Sequence, residues 1–373
     1  MEDRIPTPGQ EGRVKITPES GNPFYAKLEM ADNPMQEGTA LNKANLLNDV
    51  ACDALGIPRT SVVNDALLGL AIGAGKYGYK ITLLTPGGRP LGYHTIQGVT
   101  RPNGTPAVTD ANGQVLAVSA STTPAITIGS DFVDLSTYTG TLTSTGVITD
   151  VTITMPRNTT ASASVSTSIT YHFSADVNQI NYTIAGAGGG GGGGAATLGY
   201  NNSGDYSYGY ASGGGGGSGY AIANQSFTNN VKLAVNVVVG AGGVGGAGKA
   251  VHQTNGYSGA NETGVTGGTG GATTISQGST ILLTANGGNG GTGGHAESGY
   301  LPTNRGGTGG IGQVNGTAGG TASAATGGAG GNLVTTGGYG NGGNGGGCAT
   351  YDNAASNNGS TGAGGACWLS WTF

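Results

Sequence analysis

The sequence predicts a mostly β and irregular protein: an N-terminal segment with one short helix, a small antiparallel β-sandwich domain, and a C-terminal bundle of polyglycine-II helices with distal loops. Three observations lead there. Of the 80 glycines in 373 residues, 62 fall in residues 186–373. The same stretch holds only seven Asp, Glu, Lys or Arg residues. Residues 78–156 alternate apolar and polar side chains between Pro-Gly-Gly and Asn-Gly signals, the pattern of hairpins with one buried face.

Residues 1–60 are mixed and charged. Within "GTALNKANLLNDVACDALGI", Thr39 is a cap candidate, Leu41, Leu46, Leu47, Val50 and Leu55 have helical spacing, and Gly56 ends the run. Residues 61–77 connect to the β domain of 78–156, read from "YKITLLTPGGRPLGYHTIQGV", "AVTDANGQVLAVSA" and "VITDVTITM". Residues 157–185 form a Ser/Thr-rich connector that ends in a strand, "INYTIAGAG".

Residues 186–373 could be a disordered tail, since glycine loses most entropy on ordering. Two features argue against that reading. Ser, Lys, Glu and Pro, the usual linker residues, are not dominant, and the glycines form short blocks with a GGX period, as in "GGNGGTGG" and "GNGGNGGG". A period of three fits an extended helix of three residues per turn, which has no internal hydrogen bonds and must find partners in its neighbours. Only glycine lets backbones approach that closely, while the third residue points outward.

Ten runs emerge, near 186–194, 212–219, 240–248, 264–272, 286–294, 306–310, 316–320, 327–331, 337–347 and 359–365. If the chain reverses at each interval, alternate intervals share an end. The odd intervals include the polar or aromatic stretches 195–211, "KAVHQTNGYSGANET", "HAESGYLPTNR" and "CATYDNAASNN"; the even ones include "YAIANQSFTNNVKLAVNVVV" and "ATTISQGSTILLTA". One end should therefore be a small hydrophobic β base, completed by "INYTI" and "CWLSWTF", and the other a polar tip. Gly245, Gly290 and Gly343 sit mid-run, where a valine should part the packing.

Composition excludes several functions. A net charge of −5 gives no basic footprint for nucleic acid. No run of 18 apolar residues could span a membrane, and the first eight residues are too polar for a signal peptide. Cys52, Cys348 and Cys367 make no disulfide framework, although Cys348 and Cys367 could pair or remain separate thiols. Gly240 to Gly245 matches GxGxxG with Glu262 downstream, and Gly243 to Lys249 matches G-x-x-x-x-G-K. No helix can follow either, and Ala250 replaces the magnesium-binding hydroxyl. The histidines His94, His172, His252 and His295 lack metal-ligand spacing, and no GxSxG nucleophile occurs. The sequence therefore predicts no enzyme, no metal and no cofactor.

Three stretches resemble one family. "NPFYAKLEMADNPMQEGTALNKANLLNDVACDALGI" resembles the N-terminal segment of tail-fibre proteins of phages and prophages of Gram-positive bacteria. "KITLLTPGGRPLGYHTIQGV" with "AVTDANGQVLAVSA" resembles small transthyretin-like or Ig-like domains. "YHFSADVNQINYTIAGAGGGGGGG", "VVVGAGGVGGAG" and the terminal tryptophan strand resemble the glycine-rich tips of phage tail fibres, such as T-even-like tail-tip adhesins. Those adhesins are separate tip proteins, whereas here an attachment-like segment comes first, which implies a short self-contained fibre.

The resemblance implies a receptor-binding protein of a virion tail or phage-like particle, made in the bacterial cytoplasm. It implies a homotrimer joined to the baseplate or other fibre proteins through residues 1–60. Its partner would be a host cell-surface receptor, glycan or protein, with no nucleic acid and no membrane insertion. The loop role carries over to Tyr200, Asp205, Tyr206, Tyr208, Tyr210, His252, Tyr257, His295, Tyr300, Arg305, Tyr351 and Asp352. The alternative is a bacterial cell-surface glycine-rich structural or adhesive protein. A third reading is an enzyme acting on surface glycan.

Overall fold

The computed structural model describes residues 13–16, 24–27, 76–145, 148–200, 203–230, 233–252, 261–298, 303–321, 325–333, 336–348 and 356–373. The chain divides into two units, Met1–Ala74 and Gly75–Phe373. In the first, β1 (Arg13–Ile16) and β2 (Phe24–Lys27) pair antiparallel. The helix expected between Thr39 and Gly56 lies outside the described residues.

The second unit opens with β3 (Tyr77–Leu84), β4 (Thr95–Thr100), β5 (Pro106–Val108), β6 (Gln114–Ser119), β7 (Ala125–Ile128), β8 (Tyr138–Thr141) and β9 (Ile148–Thr154). They form one sheet of order β8-β7-β4-β6-β3-β9, with β5 beside β4 and β9 running parallel to β3. The turn signals act as read: Gly88 and Gly113 take φ of 77° and 72°, which only glycine adopts cheaply. Alternation puts Tyr79, Ile81 and Leu83 of β3 in the core with Ile96, Ile126, Ile128 and Ile153.

Two further sheets enclose a second core. One has the order β10-β22-β12-β15, from β10 (Ser162–Val165), β12 (Gln179–Ala185), β15 (Ala221–Thr228) and β22 (Ala366–Thr372). The other has the order β11-β16-β19-β20, from β11 (Ile169–Tyr171), β16 (Val235–Val238), β19 (Thr273–Gln277) and β20 (Thr280–Ala285). Ile180, Ile184, Val237, Ile275, Cys367, Leu369 and Trp371 are buried between them, with Phe173 edge-on to Trp371 at 5.3 Å. This is the hydrophobic base, built from the intervals that the alternation rule assigns to it. Asp176 ties it to the first sheet, accepting from Thr85 Oγ1 and Gly87 N–H at 2.7 Å each.

The remaining strands gather elsewhere. β13 (Ala195–Tyr200), β14 (Tyr206–Ala211) and β17 (Lys249–His252) form a sheet of order β14-β13-β17, and β18 (Asn261–Thr263) pairs with β21 (His295–Glu297).

Between the two groups of strands lie the glycine runs, numbered here 1 to 10 in chain order. The N–H groups of run 1 (186–194) donate in strict rotation. Gly189 and Gly192 reach Gly217 and Gly214 of run 2; Gly190 and Gly193 reach Gly268 and Val265 of run 4; Gly188 and Gly191 reach Ala363 and Ser360 of run 10. Its carbonyls accept from Gly243 and Gly246 of run 3, Gly288 and Gly291 of run 5, and Gly343 and Gly346 of run 9. Run 2 is surrounded in the same way, donating to runs 5, 7 and 9 and accepting from runs 1, 6 and 8. The other eight runs enclose these two and bond to one another in the circuit 3-4-5-6-7-8-9-10-3.

This arrangement explains where glycine is uninterrupted. A Cβ added at any residue from 188 to 194 would overlap a carbonyl of run 9, 5 or 3 in turn, so run 1 tolerates no third residue. The enclosing runs have an outer side, and there Val244, Thr269 and Ile311 occupy the third position.

The expected fold class is corrected by these findings. Among the described residues, regular structure is all β in several sheets, one of them a curled half-barrel. Those residues show no helical segment and no polyglycine-II helix bundle. The physical reason is that a GGX period records which sides of a run are crowded, without specifying a helical rod. Run 1 continues directly from β12 into β13 as extended chain, bonding sideways throughout.

The two C-terminal cysteines lie in different clusters, Cys348 with Ala196 and Tyr210, Cys367 in the base core. They do not pair.

Candidate binding surface

The hairpin of β13 and β14 carries the tyrosine-rich stretch. Its register sets Tyr200 opposite Tyr206, Leu198 opposite Tyr208 and Ala196 opposite Tyr210. Alternation places Tyr206, Tyr208 and Tyr210 on one face of β14. Their rings form a file: Tyr206 to Tyr208 is 6.5 Å between centroids, and Tyr208 to Tyr210 is 6.1 Å at 5° between planes. Offset stacking of this kind favours a fixed arrangement of flat rings.

Exposure is graded along the file. Tyr206 is 59% exposed, Tyr208 half-buried and Tyr210 only 9% exposed. Tyr210 packs with Ala196 and Cys348 next to the glycine runs. On the opposite face of β14, a Cβ at Gly209 would overlap the Glu297 carbonyl, so that glycine allows the hairpin to lie against β21. The turn before β14 is made by Gly204, with φ of 81°, and Asp205 follows it, exposed.

A second feature stands on β18 and β21. His295 Nδ1 lies 2.7 Å from Thr263 Oγ1, and His295 Nε2 lies 2.9 Å from Glu297 Oε1. Glu297 Oε2 accepts from Thr303 N–H at 2.9 Å, and Glu297 N–H donates to Asn304 Oδ1 at 2.8 Å. His295 and Arg305 exchange both backbone hydrogen bonds, each 2.8 Å. The hydrogen bond to His295 and then the Thr303 amide hold the Glu297 carboxyl below its ordinary 4.5. A carboxyl lowered in this way favours the folded clamp at neutral pH, and that contribution fades as pH falls through and below 4.5.

The structure thus brings together Asp205, Tyr206, Tyr208 and Tyr210 on one hairpin, and His295 with Arg305 on one bridge. His252 closes β17, paired in parallel with Leu198 of β13. Tyr257, Tyr300, Tyr351 and Asp352 lie outside the described residues. The sequence reading missed Glu297 and Thr263; "HAE" places His295 and Glu297 on one face of a strand, a signal that was available. Among the described residues, no group of three or more His, Cys, Asp or Glu side chains could hold a metal, and no helix is long and apolar enough to cross a membrane.

Charge is also unevenly placed. Of the seven charged residues after 186, Asp205, Lys249, Glu262, Glu297 and Arg305 all lie on these strands and their flanks. No protein-family model matches the chain, and no curated protein matches it significantly.

Proposed function

We propose that this chain is a receptor-binding fibre protein of a phage or phage-like particle, holding a host surface through the end that carries β13, β14, β17, β18 and β21. The graded tyrosine file carries this reading. Its buried end, Tyr210, packs with Ala196 and Cys348 beside the glycine runs, and its exposed end, Tyr206, presents a flat ring and a hydroxyl at little rotamer cost. The polar and charged residues of the same end support adhesion to a polar surface such as glycan.

Replacing Tyr206 and Tyr208 by Ser, with Tyr210 retained, is expected to weaken binding to host cells at least about tenfold. Stability should change by only about 1 kcal/mol, since one ring is exposed and the other half-buried. Full binding by the folded double variant would move the contact surface to "HAESGYLPTNR".

Residues 1–60, in this reading, join the fibre to the particle, and the fibre is a homotrimer. Deleting them is expected to abolish incorporation into particles while isolated protein still binds cells. Loss of cell binding by the truncated protein would reverse the assignment.

A further inference from the structure

A cleft of about 520 Å³ lies away from the tyrosine file, lined by Gly92, Tyr93, His94, Asp131, Phe132 and His172. Its size falls in the range of small-molecule sites. Tyr93 is 76% exposed and takes φ of 65°, a left-handed conformation that bulky residues rarely adopt. Such strain persists only where surrounding structure imposes it, and it clusters at binding sites.

Here the imposing structure is specific. Tyr93 N–H donates to the Thr109 carbonyl at 3.0 Å, His94 N–H donates to Thr109 Oγ1 at 2.9 Å, and Thr109 N–H donates to the His94 carbonyl at 3.0 Å. Thr109 is itself buried and donates its hydroxyl to the Leu91 carbonyl at 2.9 Å. A Cβ at Gly92 would come within 2.6 Å of the Asp110 carbonyl, so the bend depends on glycine there.

The walls have complementary chemistry. His94 stacks on Phe132 with ring centroids 5.6 Å apart and planes 20° apart, giving a flat, weakly polar floor. His94 Nδ1 contacts the Gly92 carbonyl at 2.9 Å, while its Nε2 is buried without a hydrogen-bond partner among the described residues. Phe132 bridges to His172, and Val133 N–H donates to the His172 carbonyl at 2.9 Å. That pairing brings the exposed His172 and Asp131 side chains to the rim.

We infer that this cleft binds a single sugar ring. A pyranose has a C–H face that lies on aromatic rings and hydroxyls that both donate and accept. The hydroxyls would meet the Asp131 carboxylate, the His172 imidazole and the Tyr93 hydroxyl. An anion would be repelled by Asp131, and a divalent cation would lack a ligand set among the described residues. The inference is independent of the tyrosine file.

The test is saturation-transfer NMR on the full chain, with methyl glycosides of glucose, galactose, mannose and N-acetylglucosamine as probes and acetate as a control, and titration calorimetry with zinc chloride as a second control. At least one glycoside is expected to bind with a dissociation constant near ~1 mM, the weak range of a single ring. Asp131→Asn and Tyr93→Gly should each weaken it about tenfold or more. Tyr93→Gly should melt no lower than the parent protein, because glycine relieves the positive φ. Thr269→Val, at an exposed position of run 4, should bind the glycoside unchanged. The inference is overturned if no glycoside binds, if zinc or acetate alone binds, or if binding survives Asp131→Asn in folded protein.

Discussion

Gly191→Val is expected to destabilise the protein by about 5 kcal/mol, a large part of the 5–15 kcal/mol that holds a typical domain together. The added Cβ would overlap the Asn344 carbonyl. Run 1 cannot shift away, because five other runs press on it. Overpacking of a tight interior costs about 1–3 kcal/mol or more, and two hydrogen bonds go with it. These are Gly191 N–H to Ser360 at 3.0 Å and Gly246 N–H to Gly191 at 2.8 Å. Thr269→Val, at an exposed third position of run 4, should change stability by no more than about 0.5 kcal/mol. Urea unfolding of both variants checks this; equal midpoints would remove the array as a source of stability. Gly245, Gly290 and Gly343 belong to the same class, since a Cβ at each would overlap a carbonyl of a neighbouring run.

Alkaline pH is expected to unfold the base through Cys367. Burial pushes its thiol from the ordinary 9.0 up to about 12. The sign follows from the unfolded chain ionising first. The neutral thiol therefore adds its full stability below pH 9, and that stability is lost as pH rises toward 12. At pH 11 the loss is about 3 kcal/mol, two units at about 1.4 kcal/mol each. Burial, with the neighbouring Cys367 as a lesser cause, also raises Tyr171 and Tyr182, which act in the same direction. Cys367→Ala should be less stable at pH 8 through lost packing, yet lose about 3 kcal/mol less than the parent between pH 8 and pH 11. Parallel pH profiles for the two proteins would show that Cys367 does not ionise differently on unfolding.

Local chemistry made parts of this fold legible in advance. Pro-Gly-Gly and Asn-Gly fixed two turns because their backbone conformations demand glycine, and Gly88 and Gly113 take them. The alternation of intervals separated the base from the tyrosine-bearing end because it depends only on chain reversal. The class of the glycine region was not legible as read, since the GGX period reports crowding and the region's regular structure is β. The uninterrupted glycines of 188–194 did carry a further message: a run with no third residue is one enclosed on every side. Within the candidate surface, the spacing of Tyr206, Tyr208 and Tyr210 gave a common face. It could not give their exposures, because which end of β14 meets the glycine runs is a tertiary fact. The cleft at Tyr93 was invisible for the same reason: His94, Asp131 and His172 are far apart in sequence.

The circuit of the enclosing runs also has a consequence for how the chain comes off the ribosome. The two enclosed runs are made first, run 3 lands beside run 1, and each of runs 4 to 10 then lands beside the one just before it. From run 4 onward each addition therefore closes a short loop, and the entropic cost of closure grows only slowly with loop length. The long-range bonds of run 10, from Gly191 to Ser360 and from Gly359 to Gly246, come last and seal the circuit. Until they form, the amides of Gly188 and Gly191 and the carbonyls of Gly243 and Gly246 have only water as partners. Assembly of this unit is a winding outward from a centre that is synthesised first and completed last.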